Sequence, residues 1–287
     1  MTNTDVSSSG DASRFEEHKQ RFFIPTLELS ESTKEVLVMY SKIPTDQLQA
    51  HIEGIKKPGQ STRTHASGWD VRFLNLHIGK HPLYQSEILP RMLRGEQKYL
   101  DLGCAFAQDI RRLVADGVDS SECYGADLRL DFLELGYELF NDRDTLKSRF
   151  IAADIFDESS PLKELYGQID IIDASSFFHL FTLAEQKQVA RSVIKLMKPR
   201  KDTLVVGRQV GNAKASEYPR RNGQGTRFRH DIASWRKMWE EVGEETGVKF
   251  DVDGTTHTVE SMGMNMNAPE LEGEAAMMME FYVRRLD

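Results

Sequence analysis

Apolar positions along this chain follow two regimes. From residue 98 onward, short and nearly continuous apolar runs alternate with segments of helical spacing; before it, only helical spacing recurs. The runs 98–102, 122–127, 149–154, 168–174 and 203–207 have the length and content of buried parallel strands. Between them lie one-sided stripes: Phe106, Ile110, Leu113 and Val114; then Phe132, Gly136, Leu139 and Phe140; then Val189, Ala190, Val193 and Met197. A helix opening at Ala105 and ending at Gly117 accounts for the first stripe. Thr182-Leu-Ala-Glu185 is a capping box for the third, and Asp231 caps a last stripe of Trp235, Met238, Trp239 and Val242. Two more strands, 248–252 and 276–284, follow without a helix between them. The pattern predicts an α/β fold: a seven-stranded sheet, mostly parallel, with one reversed edge strand.

Upstream, Ser30 or Ser32 caps a helix bearing Val36, Leu37 and Tyr40, and Thr45 begins a second with Leu48, Ile52 and Ile55. A third helical segment spans 84–93. Three parts are therefore expected: a disordered lead-in (1–13), a helical N-terminal cap or lid (14–95), and a nucleotide-binding catalytic domain (96–287). Trp69 and Arg72 fall in an aromatic, charged patch of the cap. It suits either packing on the sheet or closure over a ligand.

Charge and composition narrow the partners. A formal net charge of −8 disfavours a nucleic-acid backbone as partner. The absence of an 18-residue apolar run disfavours a membrane span, and the first residues carry no secretory signal. Two cysteines, Cys104 and Cys123, make neither a disulfide framework nor a zinc site and fit buried thiols in the cytoplasm. His77 and His81 have helical metal spacing, but Gly79 and Pro82 oppose a helix there. No metal is expected.

The chemistry concentrates at strand ends. Asp101, Asp127 and Asp154 close the first three strands, where ligands of open α/β sheets bind. Gly103 makes the first turn. Ala105 stands where a dinucleotide fingerprint needs its second glycine, and its β-carbon obstructs a pyrophosphate. A dehydrogenase is disfavoured accordingly, and no P-loop motif is present. The corner fits a nucleoside without pyrophosphate.

Asp101-Leu-Gly-Cys-Ala-Phe-Ala107 resembles the first motif, [DE]-x-G-x-G-x-G, of class I S-adenosylmethionine-dependent methyltransferases, with alanine at the second and third glycines. The resemblance covers roughly residues 96–285 and implies a Rossmann-like methyltransferase sheet with S-adenosyl-L-methionine as cofactor. By that resemblance Asp101, Gly103, Cys104, Ala105 and Ser175 line the cofactor site near the methionine end. Asp127 and Leu128 serve the ribose, and Asp154 and Ile155 the adenine. Gly68-Trp-Asp-Val-Arg72 and Phe177-Phe-His-Leu-Phe181 are similar to fungal terpenoid and meroterpenoid-pathway O-methyltransferases, several of which make methyl esters. The implied substrate is a small apolar molecule, a terpenoid or meroterpenoid carboxylate.

Methyl transfer from a sulfonium is an in-line displacement governed by alignment. A carboxylate acceptor is ionised at neutral pH and needs no base; a phenol or alcohol would call on His179, after the fourth strand. A histidine among apolar residues is also commonly a core residue. Arg208 suits an anionic substrate, with a structural salt bridge as its other reading. Phe178, with Phe177, Phe181 and Trp69, suits an apolar pocket. Arg227-Phe-Arg229-His230 is expected to begin the next helix as solvated loop charges. Asp170 and Asp173 alternate and do not converge on an ion. Methyl transfer to protein or nucleic acid is a second reading, although the D/N-P-P-Y motif of such enzymes is absent after strand four. A non-catalytic scaffold is a third. A homodimer is left open.

Overall fold

The computed structural model describes residues 29–55, 74–220, 225–258, 261 and 276–287. The chain divides into two units. One comprises Met1–Asn75 with Leu139–Asn141, the other Leu76–Glu138 with Asp142–Asp287.

In the first unit, Ser30 caps helix α1 (Glu31–Glu35), its hydroxyl accepting from the Thr33 amide at 3.2 Å. The helix continues as a wide π turn, Val36–Tyr40, which buries Val36 and Leu37. Helix α2 spans Leu48–Ile55. Thr33 Oγ1 donates to Leu74 O at 2.9 Å, tying α1 to the end of the unit.

The second unit holds the sheet, with strands β1 (Tyr99–Leu102), β2 (Cys123–Asp127), β3 (Arg149–Ala152), β4 (Ile171–Asp173), β5 (Leu204–Asn212), β8 (Phe250–Thr258) and β9 (Ala276–Arg285). Their order is β3-β2-β1-β4-β5-β9-β8. The first five are parallel; β9 is antiparallel to both its neighbours, and β8 closes that edge. The expected seven-stranded, mostly parallel sheet with one reversed strand is thus present. Helices α3 (Leu89–Leu93), α4 (Gln108–Ala115), α5 (Leu130–Phe140), α6 (Leu183–Leu196) and α7 (Ile232–Thr246) accompany it.

Strand alternation sends β1, β4 and β5 side chains into two cores. On one face Leu100, Ile172 and Val205 pack with Val189 and Val193 of α6 and Trp235 and Trp239 of α7. On the other, Tyr99, Ile171 and Val206 pack with Ile110 and Leu113 of α4 and with Ile78, Tyr84, Ile88 and Met92. Residues 76–95, grouped with the cap by sequence, therefore pack on the sheet: their helical stripe supplies the cover that this face needs. Among the described residues no helix is long and apolar enough to cross a membrane.

Three local expectations need correction. The helix after β1 starts at Gln108, not Ala105, because residues 103–107 form an irregular loop. Strand β5 continues to Asn212 since β9 pairs with it along its whole length. Residues 226–229 do not begin a helix. They form β7 (Thr226–Arg229), which makes a hairpin with β6 (Ser216–Pro219), and α7 starts only after the Asp231 cap, whose carboxylate accepts from Ser234 N at 2.7 Å.

Candidate active site

The loop from β1 to α4 is anchored on β2: the amides of Gly103 and Cys104 both donate to Ala126 O, at 2.8 and 3.1 Å. Its φ angles are +80° at Gly103, +47° at Ala105 and +52° at Ala107. Every second residue is left-handed, at the three positions where the resembled motif carries glycine. Alanine tolerates this region at a cost of about 1–2 kcal/mol, so the glycine-type loop survives its substitutions. Gly103 has a further constraint, because a β-carbon there would lie 2.6 Å from Cδ2 of Phe177. Ala105→Gly and Ala107→Gly should relieve strain while loosening the unfolded chain. Urea unfolding is expected to change by less than about 1 kcal/mol in each; a larger loss would show that the loop depends on the methyl groups.

Asp127, at the end of β2, clamps this loop. Its carboxylate accepts from Ala105 N and from Arg129 N, both at 2.9 Å. Each oxygen retains lone-pair capacity for a ligand. Below the loop, the fully buried Arg111 of α4 donates to Phe106 O at 2.6 Å and forms a fork with Asp142 at 2.7 and 2.9 Å.

A row of carboxylates crosses the sheet on the α4 face. Asp101 lies opposite Asp173 in the β1–β4 register. Asp173 accepts from Ser175 N at 2.9 Å and from the Tyr99 hydroxyl at 3.1 Å. Asp109, in the first turn of α4, accepts from the amides of His77 and Ile78 at 2.7 and 3.0 Å. Asp101 is buried, and among the described residues no group donates a hydrogen bond to its carboxylate. Burial pushes Asp173 above the usual carboxylate range, and burial with repulsion from Asp173 pushes up Asp101 and takes Asp109 to about 7. His81 accepts from Leu83 N on Nδ1 (3.2 Å), so Nε2 carries the proton and donates to Phe281 O at 3.1 Å. Burial, then the nearby Arg208 and Lys80, hold His77 neutral.

The sequence-predicted residues divide as follows. Cys104 is buried with its thiol against Gly125, so only its backbone borders the loop. Leu128 is 68% exposed directly after Asp127, an apolar surface beside the nucleoside corner. Asp154 lies two residues beyond β3, exposed, accepting from Phe156 N at 2.9 Å; Ile155 is half-buried beside it. Ser175 presents its amide to Asp173 and its hydroxyl to Arg208 N at 3.3 Å. Phe178 is a correction. It is fully buried, with Trp235 at 5.0 Å and Phe281 at 6.4 Å between ring centroids, and offers substrate no surface. The aromatic wall is Phe156, Phe181 and Phe177, joined at 5.1 and 5.3 Å and ending against Gly103.

His179 follows Phe178 on a buried turn, and burial with Arg227 and Arg229 nearby lowers its pKa to about 3. Arg208 is set among Asp109, Glu280 and Asp173, its Nε buried without a hydrogen-bond partner among the described residues. Trp69 and Arg72 lie outside the described residues. Asp170 sits at the opposite end of β4 from Asp173, accepting from Lys98 N and paired with Arg200 and Lys198. A cavity of about 720 Å³ also opens at that far end, but its Arg91, Arg200 and Arg284 are already paired.

Sequence reasoning missed Asp109, Tyr99 and Arg111. An acid or a cation inside an apolar helical stripe was the available signal for the first and last. Their partners, His77 and Asp142, lie about thirty residues away.

A 3-2-1-4-5 parallel sheet with a reversed strand beyond it, a left-handed loop after β1 and an acid closing β2 define a class of protein, the S-adenosylmethionine-dependent methyltransferases. The fold is shared with the S-adenosylhomocysteine-bound N-terminal domain of EvdMO1, at TM-score 0.52 and 13% identity, covering 85% of this chain and 98% of that one. No family profile matches the sequence. The chain is 39% identical over 230 residues to O-methyltransferase phiE from a fungal species, 78% of this chain and 76% of phiE. It is 40% identical over 253 residues to O-methyltransferase atr3 of Stereocaulon alpinum, 87% and 72% of the two chains. With the Asnovolin E/Chermesin D methyltransferase nvfJ of Aspergillus novofumigatus it shares 38% over 226 residues, 78% and 81%. The chain belongs to this family of fungal secondary-metabolite O-methyltransferases and is an S-adenosylmethionine-dependent enzyme.

Proposed function

We propose that the enzyme methylates a carboxylate of a small apolar secondary metabolite, a terpenoid or meroterpenoid acid, giving its methyl ester. The observation that carries this reading is the state of His179. With a pKa of about 3 it is too weak a proton acceptor for a phenol or alcohol at neutral pH, whereas a carboxylate needs none removed. The cations beside it, Arg227 and Arg229, suit an anion. The nvfJ relative, named for two small molecules, fits such an acceptor.

The residues fit the donor. Asp101, buried and without a hydrogen-bond donor among the described residues, would take its ammonium, Asp127 its ribose hydroxyls, and Asp154 its adenine amino group between Leu128 and Ile155. Bound there, the donor supplies a methyl group activated by its sulfonium. The chain's own part is alignment and exclusion of water: Gly103 lets Phe177 close on the loop, and Phe181 and Phe156 extend that dry wall.

Proton linkage provides one check. An ammonium beside Asp101 favours the charged form of carboxylates that the free protein holds raised, so binding releases protons. Affinity for S-adenosylhomocysteine should rise between about pH 6 and about pH 8, through the Asp109 range. Calorimetry in two buffers of different ionisation enthalpy should show a release that Asp101→Asn diminishes. Buffer-independent heats would count against the ammonium site.

The acceptor class is tested by methyl-labelled donor with terpenoid acids and their matched alcohols and phenols. Label is expected in alkali-labile esters of the acids. Alkali-stable ethers would support the phenol or alcohol reading, and label on protein or RNA would remove the small-molecule reading.

A further inference from the structure

The β6–β7 hairpin is fastened to the turn that carries His179. Phe228 N donates to Phe181 O at 2.8 Å, and Gln186 Nε2 donates to Phe181 O at 3.1 Å and to Phe228 O at 2.9 Å. Arg227 and Arg229 are two apart on β7, so their side chains leave the same face of the strand, and both bear electrostatically on His179. Arg229 lies over the ring of Tyr218, 4.2 Å from its centroid, which orients that face.

Unpartnered polar atoms collect here. His179 Nδ1 and Arg227 Nε are buried and have no hydrogen-bond partner among the described residues. On β5, Gln209 is 1% exposed with both its amide oxygen and its amide nitrogen in the same condition. Buried polar groups are costly when unpaired, and a protein keeps several together where a ligand completes them. Arg208 is differently placed. Alternation along β5 puts it, with its own Nε unpartnered among the described residues, on the opposite face from Gln209, where burial disfavours its charge and Asp109, Glu280 and Asp173 offset that only in part.

We infer that Arg227 and His179, with Gln209 behind them, hold the acceptor's carboxylate on the α6–α7 side of β5, and that Arg208 is an internal counter-charge. The assignment rests on the methyl-ester reading. Arg227 offers a planar fork to both carboxylate oxygens, and the neutral imidazole donates from Nδ1 without quenching the nucleophile. Recognition then sits on the hairpin, leaving the donor's corner free of substrate charge.

The test is calorimetry on the full chain saturated with S-adenosylhomocysteine, titrated with 2-naphthoate and with its neutral isostere 2-naphthamide. Naphthoate should bind the wild type. Arg227→Met should weaken it about tenfold or more, the fork-less but charged Arg227→Lys by less, and His179→Asn severalfold, with naphthamide indifferent to all three. Circular dichroism and retained S-adenosylhomocysteine binding show that each variant is folded. Naphthoate binding unchanged within twofold by Arg227→Met, or weakened at least as much by Arg208→Met, would overturn the inference. So would failure of naphthoate to bind the saturated wild type. Failure of S-adenosylhomocysteine itself to bind would instead strike the underlying reading of the donor site.

Discussion

Arg111→Met is expected to destabilise the protein by about 3–5 kcal/mol, because it removes the bidentate guanidinium partner of the buried Asp142 carboxylate. For a domain of this size that corresponds to a fall in melting temperature of roughly 10 °C. Arg111 is fully buried and Asp142 nearly so, at 3% exposure, and the guanidinium also bonds the carbonyls of Phe106 and Ala107. Its loss removes the floor of the β1–α4 loop as well as an ion pair. Gly136 of α5 approaches the same loop so closely that a β-carbon would lie 2.7 Å from Phe106 O, which leaves the loop no room to sink. The double variant Arg111→Met, Asp142→Leu should recover much of the stability, since replacing both partners leaves no orphan charge. Thermal and urea unfolding decide this. A double variant no more stable than the single one would place the cost in the lost carbonyl bonds.

Asp127→Ala should lower affinity for S-adenosylhomocysteine by about a hundredfold or more. Two hydrogen bonds to a charged acceptor are each worth about 1.5–3 kcal/mol, and the same change frees the amides of Ala105 and Arg129 that the carboxylate now holds. Asp127→Asn keeps an acceptor oxygen and should lose less. The comparison separates ribose recognition from loop support. If asparagine restores thermal stability but not affinity, the charge is read by the ligand. Affinity within threefold of wild type in the alanine variant would remove Asp127 from the site.

The sheet was legible because parallel strands buried on both faces leave apolar runs that few other structures need. Gly103, Asp101 and Asp127 were legible as a turn and two acids at strand ends, which is where the sheet places them. Ala105 was read as an obstacle to a pyrophosphate and Ala107 as a departure from the glycine motif; the loop holds both left-handed, because the Ala126 carbonyl and the Asp127 carboxylate fix its backbone. Phe177 and Phe178 show how fine the limit is. One residue of twist decides which ring faces the loop and which joins Trp235, and periodicity over so short a turn does not resolve it. Arg229 was invisible as a buried group and Arg227 as a half-buried one, since arginine is rarely inside and a charged strand reads as a loop. The carboxylate row needed strand register, which pairs Asp101 with Asp173 across seventy-two positions.

The central claim is methyl transfer to an acceptor that is already ionised, with no protein base. The pH dependence of a single turnover, measured in the complex with both donor and acceptor bound, tests it most directly. The rate should be level from about pH 6 to about pH 9, having risen only through the acceptor's own carboxyl range below that. A rate climbing tenfold per pH unit between about pH 6 and about pH 8, with the climb abolished in His179→Asn, would contradict it.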